Sequence, residues 1–394
     1  MNTDPNPALS ASMRYQLQIY LAGMQGKKPA LPVSPEALEM EASRVMKPEA
    51  FDYIAGGAGS EITMEHNRAA FQSWQIVPRV LRDVSGRSIS VKLFGREYPS
   101  PVLLAPIGVL SLAHEQAEAD VARAAVDLHV PQIVSTVSSR SLEEIGAVHG
   151  SHPHWFQLYW GRDPDFTASL ISRAEQAGYS ALVVTLDTRL FAWRERDIQH
   201  AYLPFLYNEG LINYLSDPVF LKAVGDPRAD RMKTLMHFAH CFSNPASTWE
   251  DLAILKSQTR LPLIVKGILH PGDAQKAIDH GADGIVVSNH GGRQMDGGTS
   301  ALDALDRINQ VVGDRTTVLF DSGIRRGADV FKAIALGARA VLLGRPYAYG
   351  LALAGAQGVR EVVANLLADV DLTLGLAGCN GWAEVHRENL ARIS

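Results

Sequence analysis

Residues 285–298, IVVSNHGGRQMDGG, hold the densest set of chemically useful groups in the chain. The apolar run Ile285 to Val287 empties into Ser288, Asn289, His290, Gly291, Gly292 and Arg293, the pattern of a fully buried strand ending in a glycine-rich loop. That loop carries the side chain whose unperturbed pKa lies nearest neutrality, and beyond it a rigid fork of donors suited to a carboxylate. A histidine met alone in such a place more often caps its strand than catalyses, so the reading needs other groups to converge on it. Asp187, closing ALVVTLD, could hold the imidazole in one tautomer and stabilise its cation. Arg194 could join Arg293 in clamping a carboxylate. Lys266 closes PLIVK, and a buried ammonium there needs a polar or anionic partner. It would either form a Schiff base with a carbonyl substrate or face a cofactor that becomes negatively charged. DSGIRRG, with Asp321, Gly323 and Arg325, and LLGRP, with Gly344 and Arg345, are glycine–arginine loops that aim N–H groups and guanidinium forks at a phosphate.

These residues meet only if the segments carrying them share one rim. Short β-rich runs at 102–107, 132–137, 155–159, 181–187, 262–266, 284–289, 317–321 and 340–344 alternate with amphipathic stretches of helical period. Eight strand–helix units predict an α/β fold, a closed (β/α)8 TIM barrel whose active site sits at the C-terminal strand ends. An open doubly wound sheet is the rival, weakened because no GxGxxG follows the first strand. The barrel is expected over 76–385, after an N-terminal helical extension (1–75) and before a C-terminal tail (386–394). Within the extension, 1–30 is a polar helix or arm with no assigned role. Two short helices then run from a capping Ser34 to Gly56–Gly57. Tyr53, near the end of the second, reads on its own as a half-buried packing residue. A long insertion at 197–248, after strand four, is expected to form a lid over the barrel mouth, with an oligomer contact as an equal alternative.

Composition narrows the classes. With 37 basic and 42 acidic residues and a net charge of −5, the chain lacks the basic excess of a nucleic-acid groove. Two cysteines, Cys241 and Cys379, allow at most one disulfide, which suits a reducing cytoplasm. The opening residues show no secretory signal, and the longest uncharged apolar stretch, 98–113, contains three prolines and is too short to span a bilayer, so a cytoplasmic protein without membrane partners is expected. His237 and His240, and His152 with His154, have metal-like spacing but lack further carboxylate or thiolate ligands, so no metal is expected.

Taken in order along 35–385, FDYIAGG, FQLYW, LVVTLDT with WRERD, LIVKGI, VSNHGGRQ, DSGIRRGADV and LLGRP resemble the FMN-dependent 2-hydroxy-acid oxidising enzymes. SNHGGRQ and DSGIRRG are the most specific of these segments. The resemblance implies FMN as cofactor and a small 2-hydroxy acid as substrate. By the same resemblance Tyr53, Arg194 and Arg293 bind the substrate carboxylate, Tyr159 contacts its hydroxyl, and His290, supported by Asp187, removes the hydroxyl proton. Lys266 lies by the flavin N1–C2 edge. Pro106, Ile107 and Gly108 pass the ring, Gly108 near N5. Ser135, Gln157, Thr185 and Ser288 line the ring or ribityl chain, and Asp321, Gly323, Arg325, Gly344 and Arg345 hold ribityl and phosphate.

Two departures matter. Gly108 stands where many members have alanine, and Arg189-Leu190-Phe191-Ala192-Trp193 stands where many carry Pro-Arg-Leu-Gly. With PFL at 204–206 and the long lid, they resemble the lactate 2-monooxygenase branch, which implies conversion of L-lactate and O2 to acetate, CO2 and water. If the keto acid leaves first, an oxidase yields pyruvate and hydrogen peroxide, and a dehydrogenase is a further alternative. Relatives are commonly tetramers or larger, which implies a homo-oligomer. Side-chain preference is expected to depend on the lid and on residues near Leu110, Trp160 and Phe191. The residues alone leave open a Schiff-base lyase built on Lys266 and a non-catalytic phospholigand-binding barrel.

Overall fold

The computed structural model describes residues 10–393. Four helices come first: α1 (Ala11–Met24), α2 (Pro35–Val45), α3 (Pro48–Ala55) and α4 (Ile62–Gln72). The Ser34 hydroxyl accepts from Ala37 N and caps α2 as the sequence predicts. Three short strands follow, β1 (Trp74–Ile76) and the hairpin β2 (Val91–Leu93) and β3 (Arg96–Tyr98). β1 pairs antiparallel with the last strand, β12 (Leu390–Arg392), so the end of the chain returns to the segment before the barrel.

The barrel strands are β4 (Val102–Leu104), β5 (Ile133–Ser135), β6 (Trp155–Tyr159), β7 (Leu182–Thr185), β8 (Leu263–Ile268), β9 (Gly284–Val287), β10 (Thr317–Phe320) and β11 (Ala340–Leu343). They lie in the order β4-β11-β10-β9-β8-β7-β6-β5, all parallel, and a parallel bridge from Leu104 to Gln132 joins the two ends. This is the predicted (β/α)8 barrel. The first run is shorter than expected because Pro106 has no N–H for the ladder: Ala105 N still donates to Leu343 O at 2.7 Å, and residues 106–107 then leave the sheet and turn into the mouth. Successive side chains point alternately in and out. Leu103, Ile133, Val183, Ile264, Val286, Leu319 and Leu342 fill the interior, floored by Leu93, Tyr98 and Trp155. Their neighbours Val102, Leu104, Val134, Val184, Val265 and Val287 pack outward under the helices.

Those helices are α5 (Ala117–Leu128), α6 (Leu142–His149) and α7 (Pro164–Gln176), then α12 (Trp249–Ser257), α13 (Pro271–Asp279), α14 (Ala301–Val312), α15 (Gly327–Ala335) and α16 (Arg345–Leu376). Ser141, Asp163 and Ser300 cap three of them through side-chain oxygens. α16 breaks at Ala354–Gly355, where Gly355 has φ 55°. Between α7 and α12 the insertion forms α8 (Glu195–Gln199), a 3-10 turn at Pro204–Tyr207, α9 (Ile212–Leu215), α10 (Pro218–Val224) and α11 (Arg231–Phe242). Buried Asn213 moors it, donating to Thr136 O and Ser138 Oγ and accepting from Leu142 N. Among the described residues no helix is long and apolar enough to cross a membrane.

Candidate active site

After β9 the backbone turns through three left-handed residues, His290 (φ 59°), Gly291 (φ 65°) and Gly292 (φ 77°). The glycines adopt this freely, whereas a non-glycine residue there costs about 1–3 kcal/mol and persists only where its surroundings fix it. Ser288 Oγ accepts from His290 N at 3.0 Å, Ser322 Oγ from Gly291 N at 3.0 Å, and Asn289 Oδ1 from Gly292 N at 3.1 Å. Asn289 is in turn locked to Asn67 of α4 by reciprocal amide bonds of 2.9 and 2.7 Å, both buried.

So held, His290 faces a cavity at the C-terminal mouth of the barrel. Its Nδ1 lies 2.8 Å from Asp187 Oδ1. Donation to that carboxylate leaves Nε2 as the basic nitrogen. Burial holds the His290 pKa below its ordinary value; Asp187 pulls the other way and Lys266 reinforces burial, so the ring is neutral at neutral pH. Burial alone would raise the Asp187 pKa, but its contact with His290, which donates a hydrogen bond to it, and the charge of Lys266 outweigh burial and keep the carboxyl ionised.

Tyr53, Arg194 and Arg293 line the same cavity. The Arg293 guanidinium stands 5.3 Å over the Tyr53 ring and donates to Gly56 O at 2.9 Å. Arg194 donates to Arg293 O at 3.2 Å and to Gln294 Oε1 at 3.2 Å, while Gln294 donates to Asp187 O at 2.9 Å, tying the arginines to the His290 pair. Burial, then Arg194 and Arg345, push the Arg293 pKa down to about 9. A guanidinium still keeps its proton, so the consequence is a positive field that an anion would satisfy. Tyr159 borders the cavity, and burial raises its pKa above the ordinary value, so it is a neutral donor.

Lys266 Nζ lies 3.0 Å from Asp321 Oδ2 and donates to Ser288 Oγ at 2.9 Å. Burial lowers its pKa, but Asp321 and Asp187 more than offset this and the net shift is upward. A Schiff-base nucleophile must be a neutral amine, so this environment disfavours the lyase reading. Pro106, Ile107, Gly108, Asp321, Gly323, Arg325, Gly344 and Arg345 all line the cavity. Ser135, Gln157, Thr185 and Ser288 do not. They are buried at the strand ends, where Ser135 Oγ donates to Gln157 Oε1 (3.1 Å) and Gln157 Nε2 to Thr185 Oγ1 (2.9 Å). At the far end, Gly344 starts the long helix α16, and a Cβ there would meet nothing nearer than Ala105 Cβ at 3.9 Å, so the space beside it is open. Arg345 donates to Ile54 O, Gly291 O and Gly56 O at 3.2, 2.9 and 2.8 Å, fastening α3 to the His290 loop.

The apolar wall comes from the insertion and from the loop after β7 that leads into it. Phe191, Leu203, Phe205 and Phe242 face Val137 across the mouth. Phe242 stacks on Phe191 (5.1 Å, 3°) and leans on Tyr159 (4.6 Å). Two expectations need correction. Phe191 lines the cavity as expected, with Gly108 and Tyr159 beside the other two positions, but Leu110 is fully buried and neither it nor Trp160 reaches the cavity; Val137, Leu203 and Phe242 line it instead. The histidine reading also missed a cluster, because the fold brings Asp163 and Cys241 beside His237. Asn67, Gln294 and Phe242 were not foreseen either. Gln294 stands in the HGGRQ segment and could have been found, but the other two act through partners far away in sequence.

The family described as FMN-dependent dehydrogenase matches residues 42–392. An FMN-dependent alpha-hydroxy acid dehydrogenase, qulF, of Penicillium citrinum is 44% identical over 385 residues, covering 96% of each chain. An L-lactate oxidase of Lysinibacillus sphaericus is 44% identical, covering 83% of this chain and 84% of its own. The crystal structure of a mandelate oxidase with benzoyl-formic acid superposes with a TM-score of 0.80 at 40% identity, over 92% of this chain and 98% of that one.

Proposed function

The chain belongs to the FMN-dependent dehydrogenase family and is an FMN-dependent 2-hydroxy-acid oxidoreductase, and on that premise we propose that it oxidises small L-2-hydroxy acids with apolar side chains, L-lactate first among them, using O2 as acceptor. The observation that carries this reading is the His290–Asp187 pair sharing one cavity with Arg194, Arg293 and Tyr53.

The donor set fits the cofactor. Gly323 and Arg325, with Gly344 and the backbone of Arg345 at the start of α16, would hold the phosphate, since a helix N-terminus and a guanidinium group both favour an anion. Pro106 to Gly108 would pass the ring, and Lys266 would supply positive charge beside it. Ser135, Gln157, Thr185 and Ser288 would act from beneath, as donors and as supports. When bound, FMN supplies the acceptor for the electron pair lost from C2 of the substrate. The rest is work for the chain itself. Arg194, Arg293 and Tyr53 orient the carboxylate, Tyr159 meets the hydroxyl, and His290 Nε2 takes the hydroxyl proton while Asp187 stabilises the resulting imidazolium. The substrate side chain then lies against Phe191, Phe205 and Phe242, where each buried methylene contributes about 0.8 kcal/mol. We assign 76–385 as the FMN-binding unit, 1–75 as its helical extension, of which 1–9 lie outside the described residues, and 197–248 as the lid.

Two product outcomes differ in what leaves the cavity. The L-lactate oxidase relative supports release of pyruvate with hydrogen peroxide. Gly108 and the aromatic lid support the second outcome, in which the keto acid is retained and acetate, CO2 and water leave. Mixing the yellow holoenzyme with L-lactate in the absence of oxygen should bleach its flavin absorbance, and product analysis after aerobic turnover should then distinguish acetate from pyruvate plus peroxide. Bound FMN that no L-2-hydroxy acid reduces would overturn the proposal.

A further inference from the structure

We propose that Asp163, His237 and Cys241 form a binding site for a divalent d-block cation of the zinc class, joining lid helix α11 to the loop after β6. His237 and Cys241 are four residues apart on α11 and so share one face. Cys241 Sγ lies 3.5 Å from His237 Nε2, Asp163 Oδ2 lies 4.0 Å from the same nitrogen, and all three ligand atoms fall within 4.8 Å of one another. A tetrahedral zinc ion with metal–nitrogen and metal–sulfur bonds of about 2.0 and 2.3 Å has an N···S edge of roughly 3.5 Å, so the histidine–cysteine edge is already in place. The histidine–aspartate edge, 4.0 Å here against about 3.3 Å in such a tetrahedron, must close by about 0.7 Å. Asp163 can allow this, because its Oδ1 caps α7 through Phe166 N at 3.0 Å while Oδ2 is the oxygen turned to His237.

The two halves of the site are built to touch. Gly161 lets the loop approach the end of α11, since a Cβ there would stand 1.9 Å from Cys241 O, and Arg162 N donates to His240 O at 3.1 Å. Cys241 is 1% exposed, whereas the His237 and Asp163 side chains retain about a fifth of their surface, which leaves an open face for water as fourth ligand. Imidazole with thiolate selects zinc-like ions over magnesium or calcium. Cys241 would bind as thiolate and release its proton to solvent. Because α11 also carries Phe242, a bound ion would tether the apolar wall of the substrate cavity without touching the catalytic groups.

Cobalt(II) titrated into the FMN-loaded enzyme tests the site, because thiolate-bound tetrahedral cobalt has visible bands beyond the flavin absorption. One equivalent should produce them, and zinc(II) should abolish them by displacement. Asp163→Asn, which preserves the helix cap, and Cys241→Ser should each weaken binding about tenfold or more, with flavin absorbance reporting that the fold is intact. Cys379→Ser should bind as the parent does. No bands in the parent protein, or equal bands in Cys241→Ser, would overturn the site.

Discussion

His290 holds a left-handed backbone conformation, an ionised partner and a burial-depressed pKa at once, and each of these follows from something placed around it. Replacing it with glutamine keeps the size of the side chain and removes the base. His290→Gln should retain FMN, while reduction of the flavin by L-lactate without oxygen slows by about 10²–10⁴-fold. A variant reduced at the parent rate would remove His290 from the chemistry. Arg293→Met should act differently, raising KM and lowering kcat/KM by about 2–5 kcal/mol, because it takes away a buried partner of the carboxylate. Steady-state kinetics with L-lactate checks this, and unchanged kcat/KM would refute the clamp. The histidine, Arg293, Lys266 and the glycine–arginine loops were legible because each ends or closely follows an apolar run, and a barrel gathers such ends. The exact work of Arg345 was not, since its donors go to carbonyls at positions 54, 56 and 291, which have no sequence signature.

At the scale of elements, α4 buttresses the loop that carries His290. Asn67 meets Asn289 and also accepts from Ala301 N at 3.1 Å, so one amide from outside the barrel sets both the His290 turn and the start of α14. Asn67→Ala leaves buried polar groups unpaired and should cost about 1–3 kcal/mol in urea unfolding. Flavin reduction should slow at denaturant-free conditions where the fold is intact; an unchanged rate would show that the turn stands without its buttress. The loop after β4 is set just as tightly: a Cβ on Gly108 would lie 2.4 Å from Val137 Cγ2 and 2.9 Å from Val137 O. That carbonyl already accepts from Val109 N at 2.9 Å, so Gly108→Ala must shift the loop that lines the cavity or the Val137 segment it meets. The expected result is a loss of about 1–3 kcal/mol in stability and a larger share of keto acid among the aerobic products. Identical stability and product ratio would mean that the loop absorbs the methyl. Strand and helix periodicity made the eight units legible, and the caps fixed several starts. α4, the hairpin floor and the Phe191–Phe242 wall were not legible, because their order comes from contacts between distant segments rather than from local pattern.

At the scale of the whole molecule, opposite ends of the barrel handle charge differently. The mouth gathers Arg194, Arg293, Arg325, Arg345 and Lys266 in a chain whose net charge is −5, an arrangement that draws anions to one place. Before the start of β6, at the other rim, His149 stacks on His154 (4.5 Å) and His152 (5.8 Å), and its Nε2 lies 2.9 Å from Gln132 Oε1. Burial, then the neighbouring imidazoles, lower its pKa to about 2, and burial lowers those of His152 and His154 as well. The unfolded chain takes up a proton near pH 6.5 that the folded His149 refuses, so this contribution is complete above about pH 6.5 and falls by about 1.4 kcal/mol per unit as pH drops toward 2. Glu118 acts in the opposite sense. Burial raises its pKa to about 7, so between there and its unfolded value near 4.3 acid favours the folded form and offsets one such histidine. Below that window the histidine losses are unopposed by Glu118. His149→Gln should therefore narrow the pH dependence. Compared by urea unfolding, the variant should gain on the parent by about 1.4 kcal/mol for each unit below about pH 6.5, whatever the difference between them at higher pH. A difference that stays constant across that range would mean that His149 accepts its proton inside the folded protein.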